Sequence, residues 1–308
     1  MAIKNPDKLV DVIVSWIKER MDDANVSKLS VDISGGIDSA VTVALSVKTA
    51  GNDNVIGSYS GCHSSKESLE FARLVADKFK FKLVEYSFEK AFDLIVNQCK
   101  EEFKRLNIEF PDMNDPKNRV IWGSLRSTLR APIGRFTNRA FGGGLRVGTG
   151  NRDEDELVRF YQKGGDGEVD INPIAGLFKS EVWELAKYLG VPQPIIDAVP
   201  SPDLWAIGKE HTDEKELEQI TGVELTYTRP GKSAGTIEWV SRENEKNGII
   251  TGIDGNLGSE ELIKKYGYTD KQVKIISTIR HLEKITRHKA VPPPHIERET
   301  MLKAGVIE

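Results

Sequence analysis

The sequence predicts an α/β protein: a parallel sheet with helices on both faces. Three observations point there. Short apolar, β-branched runs at residues 28–33, 54–60 and 81–86 read as strands. Helix-patterned stretches alternate with them, as a sheet covered on both faces requires. A glycine pair, Gly35-Gly36, closes the first run at the carboxyl end of its strand, where such sheets bind their ligands.

The elements follow in order. Leu9, Ile13, Trp16 and Ile17 fall at helical spacing, so the chain opens on an amphipathic helix. A signal peptide is excluded there, because Asp11 and Ser15 interrupt the apolar run and Lys18-Glu19-Arg20 follows it. Residues 40–48 form a Val-, Leu- and Ala-rich helix that Gly51 stops. Ser64-Ser65-Lys66-Glu67 is a capping-box pattern, with Leu69, Ala72, Val75 and Phe79 along one helical face after it. Residues 89–106 are a further helix, and the polar, Pro-containing stretch 107–118 is a loop. Residues 120–139 look helical but broken near Pro132 and Gly134. A short strand at 143–147 is expected next, then a charged helix from Asn151 running into a Gly-rich loop near Gly167. Lys179 to Leu189 is an amphipathic helix stopped by Gly190. Residues 191–202, with four prolines, are expected to be irregular. Residues 221–258 are polar, Gly-containing and weakly periodic and read as an excursion or a mobile segment. A long helix over 270–288 and an extended start to the tail at Pro292-Pro293-Pro294 complete the chain.

The chemistry concentrates in Asp32-Ile33-Ser34-Gly35-Gly36-Ile37-Asp38-Ser39. Glycines let a backbone approach a ligand closely, and the N–H groups above a helix start favour an anion. This is a phosphate cradle of an uncommon kind. The nearest approach to G-x-x-x-x-G-K-[ST] is Gly231-Lys232-Ser233, with Thr226 where the first glycine belongs. The stretch 142–150 comes near G-x-G-x-x-G and fails.

The loop resembles the SGGxDS signature of the ATP pyrophosphatases, which split ATP between the α- and β-phosphates. Later segments narrow the resemblance. Gly148-Thr149-Gly150-Asn151 follows a strand, then come Lys163, Gly165-Asp166-Gly167, Asp170, Pro173 and Lys179. Pro200-Ser201-Pro202-Asp203-Leu204, Thr212-Asp213-Glu214 and His288-Lys289 complete the set. In this order they resemble the ammonia-dependent NAD synthetase family over most of the chain.

That resemblance implies a Rossmann-like adenine nucleotide α-hydrolase fold, usually in a homodimer with active sites at the subunit interface. It implies one unit over residues 1–308, with an ATP pyrophosphatase core at about 25–200 and a helical and insert region at 205–308. The implied reaction has two steps. The carboxylate of deamido-NAD attacks the α-phosphate of ATP, giving an adenylate and pyrophosphate. Ammonia then displaces AMP. Magnesium neutralises the phosphates.

The same resemblance assigns residues. Asp32 to Ser39, Thr149, Lys179 and Ser201 would contact ATP, with Asp38 and Lys179 catalytic. Asp38 would hold magnesium, since hard cations take carboxylate oxygens. The second metal carboxylate lies in the run Asp153-Glu154-Asp155-Glu156: Glu154 is the first choice and Glu156 the alternative. Lys163, Asp170, His288 and Lys289 would line the deamido-NAD site. The family's substrate arginine stands in an Ala-Arg-x-Arg run, and here Thr128 occupies its place. Arg130 matches directly, and Arg126, one helical turn earlier, could supply the missing charge.

Composition agrees. Hydrophobic residues make up 39% and charged residues 29% of the 308, ordinary values for a soluble enzyme. A net charge of −4 gives no bulk attraction to nucleic acid or anionic membranes. Cys62 and Cys99 are too few for a disulfide framework or zinc site, which fits a reducing, cytoplasmic setting. No glutamine-hydrolysing domain is expected, because the loop begins close to the N-terminus; free ammonia, or ammonia from a separate partner, would be the nitrogen source. Two other readings stay open: a different ATP pyrophosphatase, such as a tRNA-thiolation or nucleotide-amidating enzyme, and a nucleotide-binding sensor without turnover.

Overall fold

The computed structural model describes residues 3–198, 215, 217–218, 222–226 and 235–291. Ser201, Thr212-Asp213-Glu214, Gly231-Lys232-Ser233 and the proline run at 292–294 lie outside the described residues. Among the described residues, no helix is long and apolar enough to cross a membrane.

Among the described residues, four parallel strands form the sheet: β1 (Leu29–Asp32), β2 (Val55–Gly61), β3 (Lys82–Ser87) and β4 (Leu145–Val147), in the order β3-β2-β1-β4. Val147 also bridges in parallel to Ile171, which extends the β4 side of the sheet. The helices between the strands are α2 (Ile37–Ala50), α3 (Lys66–Phe79), α4 (Glu89–Arg105) and α5 (Arg119–Ala140). Helix α1 (Pro6–Asp23) precedes the sheet, and α6 (Lys179–Leu189) follows it.

The alternation of side chains along β1 explains the layering. Leu29 and Val31 enter the main core with Val10, Ile13 and Ile17 of α1, Val41 and Leu45 of α2, and Val182 and Leu185 of α6. Ser30 and Asp32 alternate with them and meet α5. Asn138 donates to Ser30 at 2.9 Å, and a Cβ on Gly134 would come within 2.9 Å of an Asp32 oxygen. The sheet therefore has one apolar face and one face with a partly buried polar layer.

That layer centres on Arg146 of β4, which is 1% exposed. Its guanidinium pairs with Asp32 and Glu168, and its backbone N–H donates to Asp170 at 2.7 Å. Arg135 of α5 closes the network on Asp170 at 2.8 Å and Glu168 at 2.7 Å. A buried guanidinium is tolerated only when its charge and donors are matched in this way.

Four expectations are corrected. Helix α5 is unbroken: Pro132 lies on its exposed face, where the carbonyl it frees can be hydrated, and Gly134 serves close approach to Arg146. The charged helix expected from Asn151 is a short π-helical turn, Asp153–Val158, ended by Arg159 in the left-handed region at φ 47°. Residues 191–202 are not wholly irregular, because Gln193–Asp197 forms a one-turn helix, α7, with proline in its first turn. Helix α3 is capped by Ser65, which accepts from the Ser68 N–H at 3.2 Å, rather than by Ser64.

The illegible stretch 221–258 contains α8 (Thr236–Asn247). With α9 (Ser259–Tyr266) and α10 (Asp270–Thr286) it builds a second core. Ile237, Val240, Leu262, Val273, Ile276 and Ile279 meet Leu157 and Val158 of the π turn there. A 3₁₀ turn, Arg287–Lys289, follows α10.

Candidate active site

The loop between β1 and α2 is shaped by Gly35. Its φ of +86° lies in the left-handed region, and a Cβ there would stand 2.3 Å from the Ser68 carbonyl oxygen. The Gly36 N–H donates to Ser34 Oγ at 3.2 Å, and Ser39 Oγ donates to the Gly36 carbonyl at 2.9 Å. The N-cap position of α2 is Gly36, which has no side-chain acceptor, so within the helix the first-turn N–H groups find none. A helix start of this kind is built to receive an anion.

The flanking residues turn away. Asp32 accepts from Ser58 Oγ at 2.6 Å and pairs with Arg146, so its carboxylate belongs to the polar layer under α5. Ile33 and Ile37 pack into the core. From the predicted stretch, the site itself receives Ser34, Gly35, Gly36, Asp38 and Ser39, together with the backbone of Ile37.

Strands β1 and β4 are neighbours, yet the chain leaves β1 toward β2 and re-enters the sheet on the other side at β4. Open sheets place their ligands at such a reversal. Here the segments leaving both strands converge. Lys179, the first residue of α6, bonds through Nζ to Asp38 Oδ2 at 2.6 Å and to Glu154 Oε1 at 3.1 Å. Asn151 Nδ2 spans the same two carboxylates, at 3.0 Å from Asp38 and 2.7 Å from Glu154. Asn151 Oδ1 accepts from the N–H groups of Asp153 and Glu154, at 3.0 and 3.3 Å, and so fixes the start of the π turn. Two carboxylates thus face one point beside the phosphate cradle, held by one cation and one amide.

Glu156 is elsewhere: it pairs with Arg152 at 2.6 Å. Of two further carboxyls of the turn, Asp153 is buried and Asp155 half-buried. Burial, with Glu238 nearby, pushes Asp153 up to about 8, against the pull of the Lys179 N–H that it accepts at 3.3 Å. Burial also pushes Asp155 up to about 6, although Asn172 donates to it. A Cβ on Gly150 would overlap the Asp155 carboxylate, so this glycine makes room for that side chain.

The residues expected at the second substrate divide into three groups. Lys163 Nζ donates to the carbonyls of His288 at 3.2 Å and Val291 at 2.9 Å. Lys289 Nζ donates to those of Arg159 at 3.0 Å and Tyr161 at 2.6 Å, and burial lowers its pKa. The structure therefore brings Lys163, His288 and Lys289 together across more than a hundred residues of chain. Arg130 and Arg126 lie near the end of β2. Arg130 donates to Ser64 Oγ at 3.3 Å, and Arg126 is buried over the Phe92 ring at 5.1 Å. Asp170 sits apart from both groups in the Arg146 network; burial opposes its ionisation, but Arg135 and the Arg146 N–H win and hold its pKa low. Thr149 is half-buried in the segment between β4 and Asn151.

Residue-by-residue reading of the sequence missed the bridging role of Asn151. The signal was available: an asparagine after Gly-Thr-Gly carries both a donor and an acceptor, which the position uses. Glu238 and Arg242 were also missed, because nothing local marks them.

The sequence model of the NAD synthase family matches residues 9–225 of this chain. An NH(3)-dependent NAD(+) synthetase of Carboxydothermus hydrogenoformans is 34% identical over 247 residues, 79% of this chain and 94% of the relative. One of Methanosarcina acetivorans is 30% identical over 295 residues, 94% of this chain and 97% of the relative. Among solved structures, the NMN synthetase from Francisella tularensis superposes with a TM-score of 0.69 at 21% identity, covering 96% of this chain and 100% of that one. The NH3-dependent NAD synthetase from Campylobacter jejuni gives 0.66 at 19%, covering 95% and 100%. At these identities the two structures show a shared fold.

Proposed function

The chain belongs to the NAD synthase family, and we propose that it amidates deamido-NAD to NAD with ammonia, cleaving ATP to AMP and pyrophosphate. This makes it a carbon–nitrogen ligase. The observation that carries the reading is the convergence of Asp38, Glu154, Lys179 and Asn151 beside an uncapped, glycine-shaped helix start.

In this reading the β- and γ-phosphates lie over Ser34 to Ser39, where N–H groups and hydroxyls meet their charge. Lys179 moves its ammonium from the two carboxylates to the phosphates, a point charge opposite the negative charge that develops as pyrophosphate leaves. A carboxylate oxygen of deamido-NAD forms a bond to the α-phosphorus, and the bond to the β-phosphate oxygen breaks. Ammonia then attacks the acyl carbon, AMP departs with one former carboxylate oxygen, and a proton is lost. Thr149 and Ser201 complete the ATP contacts. Lys163, His288, Lys289 and Asp170 serve deamido-NAD together with Arg130 and Arg126.

Magnesium fits the donor set. Asp38 and Glu154 present hard oxygens toward one point, and this ion is commonly held by one or two carboxylates plus substrate phosphates. When bound it supplies charge neutralisation for the phosphates. Glu156, engaged with Arg152, is the weaker ligand candidate.

A homodimer is part of the same proposal. Ile121, Thr128, Pro132 and Phe136 fall along one exposed stripe of α5, and Leu94 of α4 is 60% exposed. A second copy would bury this apolar surface.

The test is an incubation with ATP, magnesium and deamido-NAD, with ammonium and glutamine compared side by side. Ammonium is expected to give NAD, AMP and pyrophosphate, and glutamine none. ADP as the nucleotide product would reject the adenylation chemistry. Tight ATP binding with no turnover would favour a sensor.

A further inference from the structure

Helix α6 begins at the proposed catalytic lysine, but its own N-cap position is Phe178, which has no side-chain acceptor. The first-turn N–H groups are served from other segments. Asp153 accepts from the Lys179 N–H, and Glu238 of α8 accepts from the Ser180 N–H at 3.1 Å. Glu238 is 1% exposed. Its other oxygen accepts from Ser180 Oγ at 2.6 Å and from Arg242 Nε at 2.9 Å. Arg242, one turn further along α8, donates to Ser180 Oγ at 3.2 Å and stacks over the Phe178 ring at 3.8 Å. It also lies 3.7 Å from the Glu181 carboxylate.

Two residues of α8 thus grip Phe178, Ser180 and Glu181, the neighbours of Lys179 on both sides. Buried carboxylates are kept in a fold only when matched, and this one accepts from the α6 turn and from its own arginine, with the raised Asp153 carboxyl beside it. The family match ends at residue 225, and α8 begins at Thr236. The grip comes from outside the matched segment.

We propose that Glu238 and Arg242 are positioning residues: they fix the first turn of α6 so that Lys179 Nζ reaches Asp38 and Glu154. The inference rests on the reading above, in which Lys179 acts on the ATP phosphates. Glu238 acts through the lysine and touches no substrate.

Glu238→Gln keeps the side-chain shape and removes the charge. It is expected to lower kcat for pyrophosphate release about tenfold while KM for deamido-NAD stays within about twofold. In a Lys179→Ala background the same change is expected to cost less than about twofold, because residues acting through one group are not additive. Wild-type kcat in Glu238→Gln overturns the proposal. So does an undiminished tenfold loss in the Lys179→Ala background, the mark of general destabilisation. Mass-spectrometric labelling of Lys179 with an amine acylating reagent reads its placement without turnover. Labelling at least about threefold faster in Glu238→Gln is expected, as an Nζ drawn away from Asp38 and Glu154 is less shielded from the reagent. Equal rates overturn the proposal. Arg242→Met, read in the same three ways, decides the matter if Glu238→Gln fails to fold. A wild-type protein that releases no pyrophosphate would reject the proposed function, while the labelling would still decide the positioning.

Discussion

Asn151 and Asp38 are 113 residues apart in sequence and 3.0 Å apart in space, and the site depends on such meetings. Asp38→Asn is expected to cut pyrophosphate release by roughly a hundredfold or more, as loss of a group facing developing charge does. Its melting temperature should stay close to the wild-type value, and a matching collapse in stability would assign Asp38 to the fold instead. Glu154 and Glu156 separate by the same assay. Glu154→Gln is expected to raise the magnesium concentration needed for half-maximal rate about tenfold, and Glu156→Gln to leave it within about twofold. A shift in Glu156→Gln alone would exchange their roles. The loop was legible in the sequence, since Ser34-Gly35-Gly36-Ile37-Asp38-Ser39 is contiguous. The choice between the two glutamates was not. A run of four acids carries no period, and a π turn does not present faces at the helical 3.6-residue spacing. Asp32 misled for another reason: position in a motif says nothing of rotamer, and Arg146 draws its carboxylate under α5.

At the scale of elements, strand–helix alternation was readable for β1 to α4 because period and punctuation agree there. It failed in α5, where Pro132 and Gly134 read as breakers. Only the tertiary placement shows that one faces outward and the other makes room for Arg146. It failed again in α8, whose polar composition hides a helix held by a second core. The π turn gives a pH-dependent prediction. The Asp155 carboxyl rises from 3.8 to about 6 on folding, mainly through burial. A raised carboxyl stabilises the fold when protonated, so its contribution is complete below about pH 4 and is lost as pH rises through about 6. Asp155→Asn should therefore gain stability relative to wild type across this window, by about 3 kcal/mol at most. Asn172 can accommodate the new amide by rotating, since its own oxygen is buried with no hydrogen-bond partner among the described residues. Urea unfolding at pH 4 and pH 7 measures the difference, and a constant gap between the two proteins would contradict it. Gly35→Ala tests the phosphate loop itself. With φ at +86° and the Ser68 carbonyl 2.3 Å from the added carbon, ATP affinity is expected to fall at least about tenfold in a fluorescence titration. Unchanged affinity would mean that the cradle is not where the nucleotide sits.

For the whole molecule, sheet order and ligand position are one fact: the reversal between β1 and β4 gathers carboxylates from both strand ends. Arg146 ties that edge to α5. Arg146→Met is expected to cost about 1–3 kcal/mol in urea unfolding, because it strands Asp32 and Glu168, both still partly hydrated. A loss below about 0.5 kcal/mol would show that the polar layer is held by other contacts. Phe136→Glu should convert the proposed dimer to a monomer in sedimentation, and an unchanged species would move the interface off α5. The central claim is that the carboxylate of deamido-NAD attacks the α-phosphorus of ATP beside Asp38. Deamido-NAD labelled with ¹⁸O on both carboxylate oxygens tests this most directly, with the products of one turnover analysed by mass spectrometry. One labelled oxygen in AMP and the other in the NAD amide is the expected result. Unlabelled AMP, or label appearing in pyrophosphate or phosphate, would contradict it.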